Sequence, residues 1–310
     1  MDHGLSSRLM RTILSMTRAL SLAALMLVAA ASWAAAPAPA APAPAPAKTL
    51  TFAVIGDTGT GKPDQYAVAA QMEAAQTRTP FSLVLMLGDN LYGDFLGVTS
   101  FVNRFEKPYA PLLKRGVTFR AVLGNHTEAE TEIRYKPFGM DGHRYYTFTA
   151  GDGLAQFFAL DSDRLDAKPP DADQLAWLEK ELKASTAPWK IAFYHNPIYN
   201  AGRTHGPNRA LRDVLEPLLK KYGVRLSLSG HEHVYQRLKP HGRVLYFIEG
   251  SSAKVKAASI NRADPDLAAG NDSVCSFMLF TLTPAEATWR TLSAKGETLD
   301  SGTYPVEGTK

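Results

Sequence analysis

Five short apolar runs, Leu50 to Ile55, Leu83 to Leu87, Phe119 to Leu123, Ile191 to Phe193 and Leu226 to Leu228, each stop at a phrase of polar residues. The phrases are Gly56-Asp57, Gly88-Asp89-Asn90-Leu91-Tyr92, Gly124-Asn125-His126, Tyr194-His195-Asn196-Pro197 and Gly230-His231-Glu232-His233. Runs this short, β-branched or leucine-rich, read as buried strands. In open α/β sheets ligands bind outside the carboxyl ends of strands, so five polar tips there are expected to converge on one site.

Between the runs lie segments of helical period. Ala67, Ala70, Met72 and Ala74 share a face within Asp64 to Arg78. Leu175, Leu178 and Leu182 do so after the start signal Pro170-Asp171, and the stripe Leu211, Val214, Leu215, Leu218, Leu219 ends at Tyr222-Gly223. The order strand, helix, strand, helix, strand is therefore expected in each half. Further strands are expected near Tyr145 to Phe148, Ala155 to Leu160, Arg243 to Ile248, Ser276 to Leu282 and Ala287 to Thr291. An α/β fold of two packed sheets with helices outside is the layered solution.

The first 34 residues carry the layout of a secretory signal peptide: Arg8, Arg11 and Arg18 precede an uncharged run from Ala19 to Ala36, with small residues at Ser32, Ala34 and Ala36. An uncleaved anchor is the alternative, since the run just reaches the length of a short membrane helix. Its alanine-rich character favours cleavage after Ala34 or Ala36 and a periplasmic or secreted product. Residues 35–47 alternate Ala and Pro and bury no core, which predicts an extended spacer of at most about 40 Å. The globular domain is expected over residues 48–304.

Without residues 1–34 the chain has 31 basic and 29 acidic side chains, a formal charge of +2. That is no footprint for nucleic acid, and no membrane partner is expected after cleavage. The sole cysteine, Cys275, forms no internal disulfide, which suits a bacterial periplasm.

A mixed Asp, Asn, His and Tyr donor set points to iron, zinc or manganese. Of eight histidines, five (His126, His195, His205, His231, His233) fall in or beside the phrases. One such histidine is more often a hydrogen-bonded bystander; five at strand ends are not.

These phrases resemble those of the calcineurin-like metallophosphoesterase superfamily, and Tyr92 makes the chain similar to its purple acid phosphatase branch. The likeness covers nearly all of residues 48–240. It implies a four-layer αββα sandwich with two mixed sheets and a binuclear centre, iron(III) beside iron(II), zinc(II) or manganese(II). The first metal would be held by Asp57, Asp89, Tyr92 and His233, the second by Asp89, Asn125, His195 and His231. His126 and His205 would touch the phosphate or leaving group as catalytic residues. The implied reaction is hydrolysis of small phosphate monoesters by a hydroxide formed on the metals. Rival readings are a phosphodiesterase or nucleotidase with two divalent metals, and a silent phosphate- or metal-binding module.

Elementary chemistry agrees with those roles. One carboxylate can serve two cations roughly 3.5 to 4 Å apart. A phenol titrating near 10 needs a highly charged cation to ionise at neutral pH, and iron(III) meets that need. Alternation in an extended segment sends His231 and His233 to one side and Glu232 to the other. Two positions depart from the family pattern. Thr127 replaces the acidic residue that orients the preceding histidine, leaving that task to Glu128 or a water, and Asn196 after His195 is less usual.

Gly56 to Lys62 imitates a P-loop, but Pro63 occupies the position of the magnesium-binding hydroxyl and Asp57 would repel phosphate. Gly59 and Gly61 are read as turn residues. Asp161 reads as a cap rather than a further ligand. Tyr199, Arg203, Tyr235 and Arg237 flank the phrases, with packing at least as good a reading as substrate contact.

Overall fold

The computed structural model describes residues 48–93 and 97–306. The signal and spacer expectations fall outside those residues. Among them the first three strands, β1 (Leu50–Ile55), β2 (Leu83–Met86) and β3 (Thr118–Ala121), pair in parallel. The next six are β4 (Tyr146–Ala150), β5 (Ala155–Ala159), β6 (Trp189–Phe193), β7 (Leu226–Ser229), β8 (Tyr235–Leu238) and β9 (Leu245–Glu249). Last come β10 (Leu267–Asn271), β11 (Ser276–Leu282), β12 (Glu286–Ser293) and β13 (Thr298–Pro305). They form two mixed sheets, ordered β13-β12-β11-β1-β2-β3 and β10-β8-β9-β7-β6-β5-β4.

Alternation along the strands builds the layers. In β1, Phe52 and Val54 face the second sheet, packing with Phe157, Phe193 and Phe247. Ala53 and Ile55 face outward onto Val68 and Met72 of α1 (Pro63–Arg78). Phe158 of β5 likewise turns out toward α2 (Ala172–Ala184) and α3 (Arg209–Lys221), where Leu178, Leu182, Leu211, Leu215 and Leu219 are buried. The expected four-layer αββα sandwich follows. Each fully buried aromatic such as Phe52 contributes roughly 1.5 to 3 kcal/mol, and the edge-to-face contact of Phe52 with Phe157, centroids 5.3 Å apart, joins the sheets.

The helix starts follow local capping chemistry. Asp171 accepts from Gln174 N at 2.9 Å and Asn208 from Leu211 N at 2.9 Å, satisfying otherwise unpaired amides of α2 and α3. Between β2 and β3, where one helix was expected, the chain makes only short turns, Val98–Phe101, a π-helical Val102–Glu106 and Ala110–Lys114. Pro108 and Pro111 lack the N–H that a continuous helix would require.

One polar clip closes the sandwich edge. Asp300 of β13 accepts from Tyr235 OH (2.6 Å), Arg237 Nε (2.8 Å) and Trp289 Nε1 (3.1 Å), tying β8 of the second sheet to β12 and β13 of the first. Tyr235 and Arg237 are therefore packing residues.

Candidate metal centre

All five phrases emerge at the carboxyl ends of β1, β2, β3, β6 and β7, as the sequence predicts. Three of their non-glycine residues leave the strands in the left-handed region: Asp57 at φ 54°, Asp89 at φ 48° and His231 at φ 69°. A side chain held there costs about 1 to 2 kcal/mol each, and such strain persists where surroundings enforce it. Here neighbouring phrases enforce it. His231 N donates to Asp57 Oδ2 at 2.8 Å, His126 N to Asp89 Oδ1 at 2.9 Å, and Gly230 N to His195 O at 3.0 Å. The glycines make this proximity possible: a Cβ on Gly88 would stand 2.6 Å from His195 Nδ1, and one on Gly230 2.7 Å from Asp57 Oδ2.

The side-chain donors fall into two groups that share Asp89. On one flank, Tyr92 OH donates to Asp57 Oδ1 (2.9 Å) and Asp89 Oδ2 (3.0 Å) and lies 3.3 Å from His233 Nε2. His233 Nε2 is itself 3.3 Å from Asp57 Oδ1. On the other flank, His195 Nε2 stands 3.0 Å from Asn125 Oδ1, 3.2 Å from His231 Nδ1 and 3.5 Å from Asp89 Oδ1. His195 Nδ1–H donates to Leu87 O at 2.8 Å, which fixes the orientation of the ring and turns Nε2 toward Asn125, His231 and Asp89. Ligand atoms of buried Asp57, Asp89 and His195 all lie within 4.8 Å of one another. All seven residues expected to hold metal are thus brought together. Asp57, Asp89, Tyr92 and Asn125 come from the first sheet; His195, His231 and His233 follow strands of the second.

Electrostatics suit a cation. Burial would raise the Asp57 carboxyl, but the His233 hydrogen bond and the His195 charge outweigh it and hold it low. His231 is pushed down to about 3 by burial and then by His195 and His205, so its ring is neutral. Tyr92 is driven well above the ordinary phenol range by burial and by the Asp57 and Asp89 charges. Without a cation it stays a phenol.

Two exposed imidazoles flank the donors. The His126 ring lies 5.4 Å from the Tyr92 ring. The His205 ring stacks on His231 at 4.0 Å. A cavity of about 550 Å³ opens beside the second group, lined by Asn125, His205, His231, Asn196, Asp163 and Arg209. Thr127, at the departure from the family pattern, accepts from Gly124 N at 2.8 Å through its hydroxyl and so shapes the turn.

Three sequence readings need correction or completion. Gly230 to Val234 is not extended, and His231 is left-handed, so strict alternation is not what separates Glu232 from its neighbours. Glu232 does turn away, into a buried nest: Ser259 Oγ (2.9 Å), His205 N (3.1 Å), Thr204 N (3.2 Å) and Asn200 Nδ2 (3.2 Å) all donate to it. Its role was missed, although a carboxylate facing inward between two ligand positions must find donors. Gly59 is less a turn residue than a point of contact, bridging to Leu91 so that a side chain there would overlap Asn90 O. Asp161 caps the turn Ser162–Leu165 and binds Arg144 Nε at 2.8 Å, outside the donor groups.

The profile of the family described as calcineurin-like phosphoesterase matches residues 50–235. The chain belongs to that family. Among its relatives, purple acid phosphatase 7 of Arabidopsis thaliana is 30% identical over 247 residues, 70% of this chain and 74% of that one. Tartrate-resistant acid phosphatase type 5 of Mus musculus is 26% identical over 307 residues, 83% of this chain and 90% of that one. The fold also matches the solved GAP50 anchor of the Plasmodium inner membrane complex, with a TM-score of 0.69 and 20% identity over 84% of this chain and 90% of that one. The protein is purple acid phosphatase-like, a metallophosphoesterase of the phosphatase type. No helix among the described residues is long and apolar enough to cross a membrane.

Proposed function

We propose that the protein hydrolyses small phosphate monoesters at a binuclear centre. In this reading Asp57, Asp89, Tyr92 and His233 hold iron(III), and Asp89, Asn125, His195 and His231 hold iron(II), zinc(II) or manganese(II). The supporting observation is the division of labour within Asp89: Oδ2 faces Tyr92 while Oδ1 faces His195. Such metals make a nucleophile of water near neutral pH and neutralise phosphoryl charge.

The chain's own residues supply the rest. Leu87 O orients His195, and the Asp57 carboxyl, held low by His233 and His195 against its burial, remains an ionised acceptor at the centre. His126 and His205, exposed on opposite flanks, would donate a proton to the departing alkoxide oxygen. The cavity beside His205 receives the leaving group.

Metal analysis, a visible spectrum and turnover of p-nitrophenyl phosphate on one purified sample test the reading. Two metals per chain, a visible band and phosphate release are expected. A colourless protein with iron bound would favour the two-divalent-metal phosphodiesterase instead. Export belongs to the same proposal: intact mass should place the mature N-terminus between Ala35 and Pro39, and a retained Met1 would contradict cleavage.

A further inference from the structure

The loop after β9 is pinned at two points to the phrases that build the first donor group. Ser252 exchanges two hydrogen bonds with Gly56, its N donating to Gly56 O and its Oγ accepting from Gly56 N, both at 3.2 Å. Lys256 N donates to His233 O at 2.9 Å. Lys254 lies between the pins, and its Nζ sits 3.0 Å from the centroid of the Tyr92 ring. That is well inside the ~6 Å reach of a cation–π contact. Its two anchors belong to the Asp57 and His233 phrases, so the position of the ammonium is tied to that of the donors.

We propose that Lys254 is a positioning residue that acts through the Tyr92 ring to set the electronic character of the metal held there. This rests on the reading of Tyr92 as an iron(III) ligand. A phenolate bound to iron(III) absorbs visible light by moving charge from its ring to the metal. A cation on the ring face opposes that loss of electron density and raises the transition energy. The same charge weakens the phenolate as a donor and makes the ferric ion easier to reduce. Lys254 therefore shifts the band to shorter wavelength and raises the reduction potential.

The test uses full-length protein loaded with iron, in wild-type, Lys254→Met, Lys254→Gln and Lys254→Arg forms, with metal content measured for each. Lys254→Met and Lys254→Gln should carry the wild-type iron complement, absorb at longer wavelength and show a lower reduction potential. Lys254→Arg, which keeps the charge, should stay close to wild type. A band and potential unmoved in the Met and Gln variants would overturn the inference while leaving the Tyr92 ligand intact. An Arg variant displaced as far as the Met variant would also overturn it, because charge would not be the cause. Loss of iron from both neutral variants, with native circular dichroism, would overturn it by making Lys254 a loading residue. A wild type with stoichiometric iron and no band would instead sink the Tyr92 reading, and this inference with it.

Discussion

Glu232 receives the Nδ1–H of His205 at 3.1 Å, so a carboxylate lying between two donor histidines in sequence orients a third imidazole at the cavity rim. Several hydrogen bonds, including those from Thr204 and Ser259, hold this carboxyl below its usual range although burial opposes them. Glu232→Gln keeps the shape but confronts those donors with an amide. Turnover should fall by about 10 to 100-fold, the usual cost of losing such an outer partner. Metal content should remain near wild type. Unchanged turnover would show that His205 needs no such support.

Asp89 and His126 separate holding from reacting. Asp89→Ala removes the one side chain common to both donor groups, and the purified variant should lack both metals. His126→Ala should retain them and lose roughly 100 to 10,000-fold in turnover, the range for a lost proton donor. Metal analysis beside kinetics checks the pair. Stoichiometric metal in the first variant, or metal loss in the second, would mean the roles are exchanged.

Tyr92→Phe should abolish the visible band of the iron-loaded enzyme while leaving the fold intact. The hydroxyl is the atom facing Asp57, Asp89 and His233, and its loss changes volume little. A variant that keeps the band would show that another group is the chromophore.

Glu132 supports the second phrase from behind through Asn90. Its Oε2 accepts from Asn90 Nδ2 at 2.8 Å, and the same amide donates to Val122 O at 2.8 Å. Burial, offset in part by that hydrogen bond, raises the carboxyl from 4.5 to about 8. The folded state thus keeps a proton that the unfolded chain gives up. Its stabilising effect is full below about pH 4.5 and is lost as pH rises through about 8. Glu132→Gln removes the titration and retains an acceptor for Asn90. With metals chelated, its advantage over wild type should be absent at pH 4 and reach at least ~1 kcal/mol by pH 8.5, roughly 2 to 4 °C in Tm. Melting curves that stay parallel across that range would contradict it.

What the chain reveals as text and what it withholds divide along a physical line. Asp57, Asp89, Asn125, His195 and His231 were legible because each stands two to four residues beyond a strand whose apolar pattern is strong. A buried parallel strand fixes where its tip points. Strands β8, β10 and β13 escaped because their residues alternate weakly and owe their conformation to partners distant in sequence, as Asp300 does to Tyr235 and Trp289. The irregular path from Val98 to Lys114 was hidden by an apolar content that suits a helix, with its prolines deciding otherwise. Nothing local marks Lys254, whose position depends on backbone pins to Gly56 and His233.

The donor groups draw on both layers: Asp57, Asp89, Tyr92 and Asn125 belong to one sheet, and His195, His231 and His233 to the other. An ion bound among them would act as a rivet through the seam of the sandwich. Docking of the sheets and retention of metal then become two faces of a single equilibrium. A truncation deep in the seam, at Phe52 or Phe157, would loosen the grip on metal from a distance without touching any ligand, and a chelator would in turn soften the aromatic core. Catalytic capacity in this fold is therefore inherited from the quality of its packing.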